Sequence, residues 1–199
     1  MQDQFASEMT DEQRAVYDAI LYGPRARGPQ HFELRNLDGT LRGPFGLMVE
    51  YPEVGGPLQA LGAAVRFRTT LSDREREIAV LTVAYVTGSQ FEQAAHEAIG
   101  RTCGLGEDIF DALRNNETAT LTSREQVVVE LTRHLVSSPQ PADHAITSAA
   151  TRLDRQTIYE VAVITGYYRL LAHTMSLLGQ SPRSDHEHGP ENGRAQPAP

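Results

Sequence analysis

A helix-start signal that occurs twice constrains this chain more than any other feature. Leu71-Ser72-Asp73-Arg74-Glu75 is echoed by Leu121-Thr122-Ser123-Arg124-Glu125. In each, a hydroxyl residue stands three positions before a glutamate. That spacing lets the hydroxyl accept a bond from the third helical N–H while the carboxylate reaches back to the cap N–H. After the first signal, Ile78, Val80, Leu81, Val83, Ala84 and Val86 are apolar on nearly every side of a helix. β-Branched residues make a strand conceivable, but the cap and the length predict a helix buried on all faces. A looser echo relates Leu105-Gly106-Glu107-Asp108-Ile109 to Leu153-Asp154-Arg155-Gln156-Thr157-Ile158. The chain therefore reads as two copies of a three-helix unit, roughly 72–115 and 122–178.

The remaining signals are also helical. Thr10-Asp11-Glu12-Gln13 opens a helix through about Leu21, ended by Gly23-Pro24. Residues 23–46, dense in Gly, Pro and Arg, read as a long loop. A helix follows at about 56–67, and a fourth, carrying Glu92 and His96, ends near Gly104. The last helix, about 156–178, has two apolar stripes. Ile158, Val161, Ile164, Tyr168, Leu171, Met175 and Leu178 form one; Val163, Tyr167, Leu170, Thr174 and Leu177 form the other. One stripe serves a monomer core, and the second predicts self-association. The expectation is an all-α bundle of about eight helices: a flexible N-terminus at 1–8, a single domain at 9–179 and a disordered tail at 180–199.

Composition narrows the function. A formal charge of −8 argues against a nucleic-acid partner, because phosphates repel an acidic surface. The single cysteine, Cys103, rules out an intrachain disulfide and a CxxC motif, and reads as a buried, inert thiol. The N-terminus does not resemble a signal peptide, and no apolar run is long enough to span a membrane. The expected location is cytoplasmic.

Glu92 and His96 stand four apart, on one face of their helix, with Phe91, Ala94 and Ala95 beside them. A carboxyl and an imidazole so placed form either a surface ion pair or a proton-handling site. His134 and His173 read as lining a core or interface, and His186-x-His188 as an adventitious pair. No metal or cofactor is assigned.

These residues resemble the carboxymuconolactone decarboxylase family, which includes the alkyl hydroperoxidase D-like proteins. The resemblance rests on Leu71-Ser72-x-Arg74-Glu75-x-Glu77-Ile78, on Phe91-Glu92-x-x-x-His96 before Gly104-Leu105, and on Thr165-Gly166-Tyr167-Tyr168. It implies the alkyl hydroperoxidase D-like fold, assembly as trimers or hexamers, and a functional role for Glu77. Two departures are informative. Where the peroxidase branch has Cys-x-x-Cys, this chain has Ser89 and Glu92, so dithiol peroxide reduction is excluded. Where the decarboxylase branch commonly has Trp, this chain has Gln93.

The expected function is a cofactor-independent, decarboxylase-like lyase that acts by acid–base proton transfer on a small carboxylated or lactone-like substrate. His96, Glu92 and Glu77 are the catalytic candidates. His96 would donate the proton, Glu92 orient the imidazole, and Glu77 relay a proton or hold a substrate hydroxyl. Phe91, Arg25, Arg27 and Arg42 are the substrate-binding candidates, the arginines for a substrate carboxylate. A tailoring isomerase, cyclase or dehydratase, and a non-catalytic oligomeric binding protein, are the alternatives.

Overall fold

The computed structural model describes residues 9–26, 30–138, 140 and 142–178. The expectations for 1–8, for Arg27 and for the tail from 180 lie outside these residues. Nine α-helices form among them: α1 Asp11–Leu21, α2 Pro44–Glu50, α3 Pro52–Phe67, α4 Asp73–Thr87, α5 Gln90–Thr102, α6 Glu107–Arg114, α7 Ser123–Ser137, α8 Asp143–Arg152 and α9 Arg155–Leu178. A short 3-10 turn, Pro24–Ala26, follows α1.

The extra helix is α2, in what the sequence reads as the end of a loop. Its Gly and Pro mask it. Pro44 sits at the first turn, where its missing N–H costs nothing, and Phe45, Leu47, Met48 and Val49 are all buried. Burial holds this two-turn helix, not propensity. Gly43 precedes it with φ 58°, and a methyl there would overlap the Phe91 ring. Helix α3 starts earlier than expected, at Pro52, again a first-turn proline.

All three capping boxes form, at Thr10, Ser72 and Thr122. Helix α4 is the axis of the molecule. Ten consecutive residues, Glu75 to Ala84, are buried, and α5, α6, α7 and α9 pack around it. Its Val80 and Val83 join the main core with Val128, Ile164 and Leu171. Its Ile78 and Leu81 join a second cluster with Leu105, Phe110 and Val129.

The two copies interlock by exchange. Arg74 Nε donates to Glu125 at 2.6 Å, and Arg124 Nε donates to Glu75 at 2.6 Å. Each glutamate is at once the capping-box acceptor of its own helix and the ion-pair partner of the other copy. Each arginine also reaches the later part of its own copy: Arg74 bonds the Gly104 carbonyl before α6, and Arg124 bonds Thr157 in the first turn of α9. The repeat is thus a pseudo-twofold pairing of α4 and α7.

These pairs carry more than an exposed ion pair, because the carboxylates are largely buried. A double-mutant cycle on Arg74→Ala and Glu125→Gln, read by urea unfolding, is expected to give a coupling of about 1–2 kcal/mol. A coupling of about zero would reduce the exchange to ornament.

Candidate active site

Helix α4 presents Glu77 one turn after its cap, and α5 presents Glu92 and His96 one turn apart. All three are inside: Glu77 and Glu92 are 1% exposed and His96 is 8% exposed. The spacing of Glu92 and His96 does place both in the interior, but they are not each other's partner. Nδ1 of His96 lies 2.6 Å from Oε2 of Glu77. An ionised carboxylate only accepts, so Nδ1 carries the proton and Nε2 is left for other chemistry. The orienting role read for Glu92 therefore falls to Glu77, because the α4–α5 packing brings it closer. The other carboxylate oxygen of Glu77 is 3.4 Å from Nε of the buried Arg76.

The two carboxyls live in opposite electrostatic settings. Burial pushes Glu77 up, but the charge and hydrogen bond of His96, with Arg76 and Arg66, outweigh it and hold its carboxyl below the usual range. Glu92 has burial and nothing else. Both of its oxygens are buried without a hydrogen-bond partner, and its carboxyl is pushed well above the usual range. One site thus holds an ionised carboxylate and a carboxyl that favours its proton, an arrangement that separates base from acid.

Helix α9 closes the site with two residues that sequence reasoning did not single out as site components. The Tyr168 ring meets the His96 ring edge to face at 5.0 Å, and Tyr167 meets Tyr168 in the same way at 5.2 Å. Burial pushes the Tyr167 hydroxyl up to about 12, and Arg25, which hydrogen-bonds it, opposes that rise. Burial pushes the Tyr168 hydroxyl higher still. Their signal was present in Thr165-Gly166-Tyr167-Tyr168, but Tyr167 fell on the stripe read as an outer face. It is instead buried against α3, where a methyl on Gly62 would overlap both its hydroxyl and the Arg25 guanidinium. On that stripe Leu170 and Leu177 do face outward.

The remaining candidates separate. Arg25 reaches inward to Tyr167 and stacks over Phe45. Arg42 instead pairs with Glu33 at the surface, 3.4 Å away. Phe91 packs edge to face with Phe32 and borders a cleft of ≈240 Å³ at the start of α5, shared with Ala172 and Met175. Gln93 turns back to the Ala84 carbonyl in the last turns of α4. Cys103 is half-buried, its thiol pushed up by burial and restrained by the Thr102 hydroxyl.

Residues 52–134 match the model of the carboxymuconolactone decarboxylase family. The likeness to that family is confined to this stretch of the chain. It runs from α3 into α7 and contains Glu77, Glu92 and His96; Arg25, Tyr167 and Tyr168 lie outside the matched stretch. The fold is that of the alkylhydroperoxidase D group. A crystal structure of a peroxidase-related protein from Ralstonia eutropha JMP134, an alkylhydroperoxidase AhpD core, is similar over 92% of this chain and 90% of its own, with TM-score 0.70 and 14% identity. A protein of unknown function from Agrobacterium tumefaciens, suggested to be the antioxidant-defence protein AhpD, is similar over 72% of this chain and 100% of its own, with TM-score 0.63 and 17% identity. No curated protein matches the sequence. The all-α, alkylhydroperoxidase D-like expectation is therefore met. No helix among the described residues is long and apolar enough to cross a membrane.

The setting of Glu92 has a pH signature. The folded protein holds this proton to higher pH than the unfolded chain does. Stability is therefore lost as pH rises above about 4.5, the ordinary value. Glu77 has the opposite sign: its contribution is present above its ordinary value and is lost as pH falls through its depressed one. Glu92→Gln removes only the first cost. The variant should melt higher than wild type at pH 8, by about 2–4 °C for each kcal/mol relieved, and the gap should close near pH 4. Equal melting at pH 8 would show Glu92 to be hydrated or paired.

Proposed function

We propose that this chain is an enzyme that moves a proton at the His96 imidazole, acting on a small carboxylated or lactone-like substrate without a cofactor. One observation carries the reading: an imidazole oriented by a buried carboxylate stands beside a second buried carboxyl whose oxygens have no partner. Unpartnered buried polar atoms cost free energy and persist where function uses them. A purely structural pair would leave neither atom orphaned.

The chemistry follows from the parts. Glu77 fixes the tautomer and orientation of His96 through Nδ1, which leaves Nε2 as the nitrogen that takes and returns a proton. Glu92, holding its proton, can donate a hydrogen bond to an oxygen that gains charge. In a lactone acid, the electrons left by departing carbon dioxide pass into the conjugated carbonyl. Glu92 would stabilise that oxygen, and His96, having taken a proton from water at Nε2, would deliver it to the dienolate carbon. Of the two described arginines proposed for the substrate carboxylate, Arg25 and Arg42, it is Arg25 that reaches inward. The cleft bordered by Phe91 is lined by the residue just before Glu92.

The same parts would serve an isomerase, cyclase or dehydratase, since each needs placed proton transfer. Dithiol peroxide reduction has no chemistry here, as Ser89 and Glu92 hold the positions of its two cysteines. Self-association is part of the proposal: Tyr159, Leu170 and Leu177 of α9, with Val54 and Leu61 of α3, expose apolar side chains that a second subunit would cover.

The test is turnover of carboxymuconolactone and a panel of related lactone and polyketide-like acids, followed by ultraviolet absorbance and carbon dioxide release. His96→Ala and Glu92→Gln should each lower kcat by about 100-fold or more, the scale of a lost acid–base group, with helical circular dichroism unchanged. Full turnover in both variants would end the assignment. Binding of the acids with no turnover by the wild type would favour the non-catalytic binding protein.

A further inference from the structure

A second group of chemistry-bearing side chains lies outside the Glu77–His96 site, where α7 packs against α8. Glu130 and His134 are four apart on α7 and share one face. His144 and Ser148 are four apart on α8 and share another. The two faces meet. The imidazoles of His134 and His144 stand edge to face at 4.9 Å. Nε2 of His144 is 3.9 Å from Oε1 of Glu130, too far for a hydrogen bond. One ligand atom from each of Glu130, His134 and His144 lies within 4.8 Å of the other two. Donors around one zinc ion sit about 3.4 Å apart, given metal–ligand bonds of about 2.0–2.2 Å. Small side-chain rotations therefore close this triangle onto an ion.

Two further features point to a ligand and not to a chance meeting. Ser148 Oγ donates to the second oxygen of Glu130 at 3.2 Å, which aims the carboxylate as outer-sphere groups do in metal sites. Glu130 and His134 also line a cleft of ≈690 Å³ that Arg133 and Arg152 border. Three protein ligands leave a fourth position, and that cleft is where it opens.

We propose that Glu130, His134 and His144 bind one zinc-class divalent transition ion, with an open coordination position facing this cleft. Two imidazoles and a carboxylate select such an ion over magnesium or calcium, which take oxygen ligands. The positive side chains beside the open position suit a water or a small anion as the fourth ligand. The ion joins α8 to α7 across the connection at 138–142.

The test uses the full chain with His186→Ala and His188→Ala, which removes the His-x-His pair near the C-terminus. Zinc chloride is titrated against a chromogenic chelator. One equivalent should bind, and zinc at about 100-fold above its Kd should raise Tm by about 5–10 °C. His144 is largely exposed, so His144→Ala leaves the fold intact; it should weaken binding by about 100-fold or more. Ser148→Ala should weaken it by about 10–100-fold. Cobalt(II) should show the intense visible bands of a four-coordinate site in the parent and lose them in His134→Ala. No zinc bound by the parent, or undiminished affinity in both histidine variants, overturns the proposal.

Discussion

Helix α4 has no wet face along most of its length, and this one constraint organises the molecule. A helix buried on every side must be surrounded, so α5, α6, α7 and α9 are required around it. Each polar group on α4 must also be met by a neighbour, because an unmatched buried charge costs several kcal/mol. Glu75 is met by Arg124. Glu77 is met by His96 and Arg76. Thr82 bonds back to the Ile78 carbonyl. Arg124 and His96 come from two different helices, α7 and α5, so satisfying the α4 carboxylates also sets the register of these neighbours.

The same constraint links architecture to chemistry. The carboxylates at positions 75 and 77 lie two apart on α4 and point to different neighbours. Glu75 belongs to the exchange that pairs the two copies, and Glu77 belongs to the site. The duplicated half has Glu125 as the counterpart of Glu75. The position matching Glu77 is Val127, which lies in the core. One copy carries a buried acid there and the other a buried valine. The pseudo-twofold arrangement supplies a rigid cradle, and only one side of it carries the proton-handling groups. Glu92, buried with neither oxygen hydrogen-bonded, is the cost that this side bears.

Much of the fold was legible because it is written in local chemistry. Capping boxes act within four residues, and all three formed where the sequence placed them. The burial of α4 was legible because its apolar residues cover every azimuth. Helix α2 was not legible, since Gly43, Pro44 and Gly46 signal a loop and only burial against α3 overrides them. In the site, the Glu92–His96 spacing marked the right helix face. It could not name the partner of His96, because Glu77 is remote in sequence and adjacent only after α4 and α5 pack. Tyr167 was assigned to an outer face because a stripe on a long helix does not say which stretch of it a neighbour covers. Helix α3 and Arg25 cover that stretch near Tyr167 and leave Leu177, 82% exposed, beyond reach.

Local rules in the sequence were therefore enough to set every described helix but α2, the capping boxes, the twofold echo and the identity of the titratable residues. Those properties depend on neighbours within a turn or two. The tertiary structure alone decided which acid is ionised and which holds its proton. That choice depends on desolvation and on charges carried by other helices, and neither exists until the chain has packed.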